Sequence, residues 1–184
     1  MEPSMQRALV STILHHAEDY PWRMQDIGLL GLRLDDHREY RLHVWDPTRT
    51  GLEDDPAIHD HPYDFTSWIV AGEMANVRYD EDPGGAPFTR FRYELDDEGS
   101  RTIDTVRLTG TATTFAAGSS YRQEAHELHE SRQLPGTVSI IRCTFRDVTR
   151  LSVCRRSSEW ISGQSRPATR DEIKSIIAKA LDWF

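Results

Sequence analysis

Cysteine is nearly missing from this chain: Cys143 and Cys154 are the only two in 184 residues. Two cysteines cannot build the disulfide framework that small secreted domains rest on, so free thiols in a reducing compartment are expected. No run of about 18 apolar residues occurs, and no signal-type apolar core stands near the N-terminus. The expectation is a chain with no membrane partner, located in the cytoplasm. Positive charge is also short, with 22 Lys and Arg against 30 Asp and Glu and a net charge of −8. Without a basic stripe to displace counterions, no nucleic-acid partner is expected. Walker loops, dinucleotide fingerprints, Gly-x-Ser-x-Gly elbows and Cys-x-x-Cys pairs are all absent, which removes the commonest nucleotide, hydrolase and dithiol chemistries.

What is present is an ordinary globular composition, 38% hydrophobic and 28% charged, at a length that suits one domain. Residues 4–18 predict a helix: Ser4 is placed to cap it, Leu9, Val10, Ile13, Leu14 and Ala17 recur at helical spacing, and Tyr20-Pro21 stops it. His15 and His16, in its last turn, read as surface histidines facing the negative end of the helix dipole. A second helix is predicted over about 170–183, with Thr169 and Glu172 as a capping box and Ile173, Ile176, Ile177, Ala180, Leu181 and Phe184 as one apolar stripe.

Between them, over about 29–153, the pattern switches to period two. Tyr40–Trp45 alternates, 65–79 reads as a hairpin around Ala71-Gly72-Glu73, and Asp80–Pro87 reads as a loop rich in acid, glycine and proline. Strands are predicted at 88–95, 101–108, 111–116, 121–130 and 137–146, with turns such as Asp96–Gly99 and Leu134-Pro135-Gly136 between them. Many short strands at this spacing indicate an all-β antiparallel barrel or sandwich with both helices packed outside it. The tryptophans, Trp160 among them, read as packing residues, with Trp68 placed to line a substrate pocket.

One segment carries chemistry: Ile58-His59-Asp60-His61-Pro62-Tyr63-Asp64-Phe65. Two histidines with one residue between them on an extended chain point to the same face, so both imidazoles can reach one metal ion. A second histidine segment, Tyr121 to His129, lies on a later strand and can supply a third ligand from His126 or His129. Three ligands leave open positions, the condition for metal catalysis. His43, on the face it shares with Arg41 and Trp45, and Tyr121 are candidates for proton transfer or substrate orientation.

The arrangement resembles the cupin superfamily, in which a His-x-His motif running on to glycine is followed by a second, histidine-bearing motif. Here these are His59-x-His61 ending at Gly72, then Ala116-Ala117-Gly118 with His126 or His129, over about residues 40–146. With Tyr40-x-Leu42-His43 added, the chain is similar to a group of uncharacterised bacterial and phage cupins. It departs from the family where Phe65 and Thr66 occupy the first-motif glutamate position and Ala116 or Ala117 the second-motif proline.

The resemblance implies a single cupin-type jelly-roll domain over 1–184, and a homodimer. It favours His129 as third ligand, counted back from Pro135-Gly136-Thr137-Val138, with His126 as the alternative. Asp64, one residue early for the family glutamate, is expected to orient a ligand imidazole. A three-histidine set without a carboxylate resembles that of the thiol dioxygenases. The first expectation is therefore a mononuclear Fe(II) oxygenase or oxidase acting on a small-molecule substrate. A zinc, nickel or manganese isomerase, lyase or cyclase is the second expectation, and a non-catalytic ligand-binding cupin the third.

Overall fold

In a computed structural model the period-two region forms antiparallel strands flanked by the two helices; the structure describes residues 2–25, 27–37, 39–46, 58–94, 101–146, 150–157 and 165–184. The predicted Asp96–Gly99 turn and Trp160 lie outside the described residues. The elements run α1 (Pro3–His15), β1 (Arg23–Gln25), β2 (Leu29–Arg33), β3 (Tyr40–Trp45), β4 (Ile58–His59), β5 (Tyr63–Ala71) and β6 (Glu73–Glu94). They continue with β7 (Arg101–Ala116), β8 (Ser120–Gln123), β9 (Leu128–Gln133), β10 (Val138–Phe145), β11 (Arg150–Arg155), β12 (Ser165–Pro167) and α2 (Arg170–Leu181).

Two antiparallel sheets result. The first has the order β12-β1-β2-β3-β10-β5-β8 and the second β11-β4-β9-β6-β7. The second sheet closes on itself, because β6 pairs with β9 through Met74–Tyr79 and with β11 through Thr89–Glu94, while β4 lies between β9 and β11. This ring of pairings gives the fold its barrel-like character, while β7, β8 and β12 remain at sheet edges.

Strand alternation sorts the first sheet into two faces. Leu42, Val44, Val70, Val138 and Ile140 pack outward against Val10, Ile13 and Leu14 of α1 and Ile173, Ile176, Ile177 and Ala180 of α2. Burial of each such side chain contributes about 1.5–3 kcal/mol, which is why short helices with a single apolar face hold to the sheet. The opposite face carries Trp45, Tyr63, Phe65, Ile69, Tyr121, Ile141 and Cys143, packed with Met74 of the second sheet. That inner layer surrounds the histidines. A third cluster, Ile58, Phe88, Val106, Leu108 and Cys154, fills the second sheet.

Both helices form where expected, with different ends. α1 starts at Pro3, whose missing N–H costs nothing in a first turn, so Ser4 lies inside the helix and Glu2 takes the cap position without a side-chain bond. α2 has the predicted capping box: Thr169 accepts from the Glu172 N–H, and Glu172 accepts from the Thr169 N–H. Four strand predictions need correction. Residues 65–79 are not a hairpin: after the turn at Gly72 the chain leaves the first sheet, so β5 pairs with β10 and β8 while β6 pairs with β7, β9 and β11. Asp80–Pro87 is not a loop; β6 runs through it, with a register shift between Glu81 and Ala86 where Asp82 Oδ1 accepts from the Gly84 N–H at 2.8 Å. Residues 101–116 form one strand, since Gly110 continues the ladder opposite Tyr79. The 121–130 strand is two, β8 and β9, broken at a turn where His126 has φ 66°.

Candidate metal centre

The local reason for the site is cross-strand pairing. His59 on β4 sits directly opposite His129 on β9, so their side chains share the inner face. Beyond β4 the chain stays extended through Asp60, which returns His61 to the same side. Asp60 points the other way and clamps the segment to β11: its N–H donates to Ser152 O at 3.2 Å and its Oδ1 accepts from Ser152 N–H at 2.7 Å.

Three imidazoles converge as a result. One nitrogen from each of His59, His61 and His129 lies within 4.8 Å of the other two, and among the described residues no carboxylate or thiol joins them. His61 Nε2 and His129 Nε2 are 3.0 Å apart. Two donors at about 2.1 Å from one cation stand about 3.0 Å apart at right angles and about 3.4 Å apart at the tetrahedral angle. That separation closes an N–H···N hydrogen bond between the rings and equally suits a shared ion. Burial, followed by the neighbouring His59, pushes the pKa of His61 and of His129 well below the usual 6.5. Both rings are neutral at pH 7, the state in which imidazole ligates.

Aromatic side chains fix the rings. Tyr63 stacks on His61 at 4.9 Å and 22° between planes, and Phe65 meets His61 edge-on at 5.4 Å and His129 at 5.7 Å.

A buried chain of hydrogen bonds sets the tautomer of His129. Glu127 Oε2 accepts from Gln123 Nε2 at 2.9 Å, so the amide of Gln123 turns Oε1 toward Asn76 and accepts from its Nδ2 at 3.0 Å. Asn76 Oδ1 must then accept from Nδ1–H of His129, at 2.8 Å. The proton sits on Nδ1, and the Nε2 lone pair faces His61 and the shared point. Neither Asn76 nor Gln123 follows from the histidine motif. The signal for them was a polar amide at an inward position of an apolar strand, where Asn is normally scarce.

The remaining expected site residues are placed as follows. His126 takes no part in the three-ring group; it is largely exposed on the turn before β9, with Nδ1 3.9 Å from Asp60 Oδ2. Asp64 does not orient an imidazole. It alternates to the outer face, where Arg146, Arg122 and the N–H of Ala125 donate to its carboxylate. The hydrogen bond from Arg146, first among these, holds its pKa down at about 2. The task expected of Asp64 falls to Asn76.

His43 does face inward, edge-on to Trp45 at 5.8 Å, and burial pushes its pKa down to about 3. Tyr121 is buried in the same inner layer, stacked on Phe115 at 4.8 Å and edge-on to Phe65 at 6.0 Å, with its hydroxyl 3.3 Å from Met74 Sδ. Trp68 packs on the helix side of the first sheet and lines no part of the centre. Cys143 and Cys154 are free and buried in different clusters.

The three-histidine group can hold a divalent metal ion. No helix among the described residues is long and apolar enough to cross a membrane. Compared with known protein-family models and with curated proteins, the chain matches neither.

Proposed function

We propose that this chain is a cupin-type jelly-roll enzyme acting on a small molecule at a mononuclear metal centre, and that the centre is a non-haem Fe(II) oxygenase or oxidase site. The observation that carries the reading is the convergence of three imidazoles on one point without a carboxylate among the described residues. The 3.0 Å separation of His61 Nε2 and His129 Nε2 is short enough for both to reach one ion, and a set of three protein ligands would leave positions free on it. Bound there, the metal would supply adjacent open positions for O2 and substrate.

The chain's own residues have separate tasks in this reading. His59, His61 and His129 hold the ion, and Asn76 keeps the His129 lone pair aimed at it. Tyr63, Phe65 and Tyr121 surround the centre with apolar surface that excludes water and strengthens every polar contact inside. His43, neutral at pH 7, accepts or passes a single proton and brings no fixed charge of its own.

The test is elemental analysis of protein purified without oxygen, followed by nitric oxide as a spectroscopic stand-in for O2. One iron per chain and an iron–nitrosyl signal are expected. Zinc, nickel or manganese at full occupancy would shift the reading to O2-independent isomerisation, elimination or ring closure. A folded protein that takes up no metal would leave a ligand-binding barrel.

A further inference from the structure

Arg41 lies on the inner face of β3 with His43 and Trp45, and its charge is felt by His61, His43 and Cys143. Its surroundings set it apart from the arginines outside the inner layer. Arg90 is paired with Glu81 and Asp104, Arg78 with Glu127 and Arg146 with Asp64. Arg41 has no carboxylate partner among the described residues. Its contacts are with Tyr63, whose hydroxyl lies 3.1 Å from Nη1 and whose ring centre lies 5.0 Å from the guanidinium carbon. The same Tyr63 ring stacks on His61. Nη1 is thus engaged, Nε is buried without a hydrogen-bond partner, and the Nε–Nη2 edge is left unmatched.

That edge is the planar pair of donors that fits a carboxylate with two parallel hydrogen bonds. An orphaned buried donor on a charged group is costly, and such groups persist where a ligand completes them. Charge balance argues the same way. Three imidazole ligands bring no negative charge, so a divalent ion beside this guanidinium is offset by nothing in the described ligand group.

We infer that Arg41 is the anion anchor of the centre and that the substrate is a small carboxylate, bound through the Nε–Nη2 edge of Arg41 while a second polar group of the same molecule takes an open position on the metal. The inference rests on the metal-centre reading and adds to it the chemical class of the substrate. One guanidinium matches a monoanion, and the aromatic neighbours Tyr63 and Phe65 suit a short carbon skeleton between the two polar ends.

The experiment uses the Co(II)-loaded full chain, whose visible spectrum reports ligands entering the coordination sphere. Glycolate, 3-hydroxypropionate and 4-hydroxybutyrate are titrated, each against its neutral primary amide. At one chain length or more the acid is expected to bind at least tenfold tighter than its amide. Arg41→Gln is expected to abolish that preference while leaving cobalt content unchanged, and Arg41→Lys to keep part of it. Absence of any acid preference, or a preference that survives in Arg41→Gln, overturns the anchor and leaves the metal centre standing. Should Arg41→Gln not fold, an undiminished preference in Arg41→Lys overturns it equally, because ammonium cannot reproduce the two parallel bonds. Failure of the wild-type chain to take up cobalt is a different result, and it ends the metal-centre reading together with this inference.

Discussion

Replacing Asn76 tests the chain of reasoning that runs from hydrogen bonds to metal affinity. Asn76→Leu is close in volume and removes both bonds at once. It leaves His129 Nδ1–H and Gln123 Oε1 buried without partners, where they now have bonds of 2.8 and 3.0 Å. Each orphaned group costs about 1–3 kcal/mol, so the metal-free variant should lose about 2–6 kcal/mol of stability by urea unfolding. The second consequence is local to the centre. With Nδ1–H no longer held, the ring turns and changes tautomer freely, and loss of such an outer contact weakens metal binding by about 10–100-fold. Competition of Zn(II) or Co(II) against a chelator of known strength measures it.

Asn76→Asp separates the two effects. A carboxylate still accepts from His129, so metal affinity should return to within a few-fold of wild type. It cannot donate to Gln123, so stability should stay reduced. Leu and Asp variants that both bind metal like the wild type would show that Asn76 does not set the His129 tautomer.

Further outcomes follow from other parts of the fold. The pKa of Asp64 is held down to about 2 by Arg146, then by the Ala125 N–H, against 3.8 when unpaired. A depressed carboxylate contributes stability above its unfolded value and loses it as pH falls through its folded value. Urea midpoints should therefore drop between about pH 4 and pH 2 in the wild type, and Asp64→Asn should flatten that drop; an unchanged acid limb would contradict the pairing. Gly72 has φ +77°, and a Cβ there would sit 2.5 Å from Thr137 Oγ1, so Gly72→Ala should destabilise by about 1–3 kcal/mol in chemical denaturation. Thr169→Ala removes the acceptor for the Glu172 N–H and should cost about 1 kcal/mol, a loss that Thr169→Ser restores. A Ser variant no better than Ala would rule out the cap as the cause.

Much of this arrangement was legible in the residues, for physical reasons. Period-two alternation identified β3 and β5 and sorted their faces, and the same alternation put His59 and His61 on one side; the third ligand stayed open between His126 and His129, with only the cupin resemblance favouring His129. The capping box at Thr169 and Glu172 is a local device and was readable locally. Errors arose where tertiary pairing overrides local composition. Asp80–Pro87 has turn chemistry, yet β7 opposite it carries the ladder across the register shift at Glu81 and Ala86. His126 interrupts what read as one strand by adopting a left-handed conformation that no pattern of hydrophobicity reports.

Asp64 was assigned by its nearness in sequence to the ligands, but alternation sends it to the outer face, into the reach of Arg146. Asn76 and Gln123 were invisible because their role depends on β6, β8 and β9 meeting, a contact between distant segments. Arg41 was noted only as a neighbour of His43. Its meaning lies in the partner it does not have, and a sequence cannot state that.

The central claim is that His59, His61 and His129 bind one metal ion together. Its most direct measurement is the metal content of protein purified without oxygen, in the wild type and in His61→Ala and His129→Ala, with circular dichroism to establish that each is folded. The account predicts one divalent ion per chain in the wild type and loss of it in both variants. A folded wild type that carries no metal and acquires none on incubation with Fe(II), Zn(II) or Co(II), or variants that retain it in full, would contradict the claim.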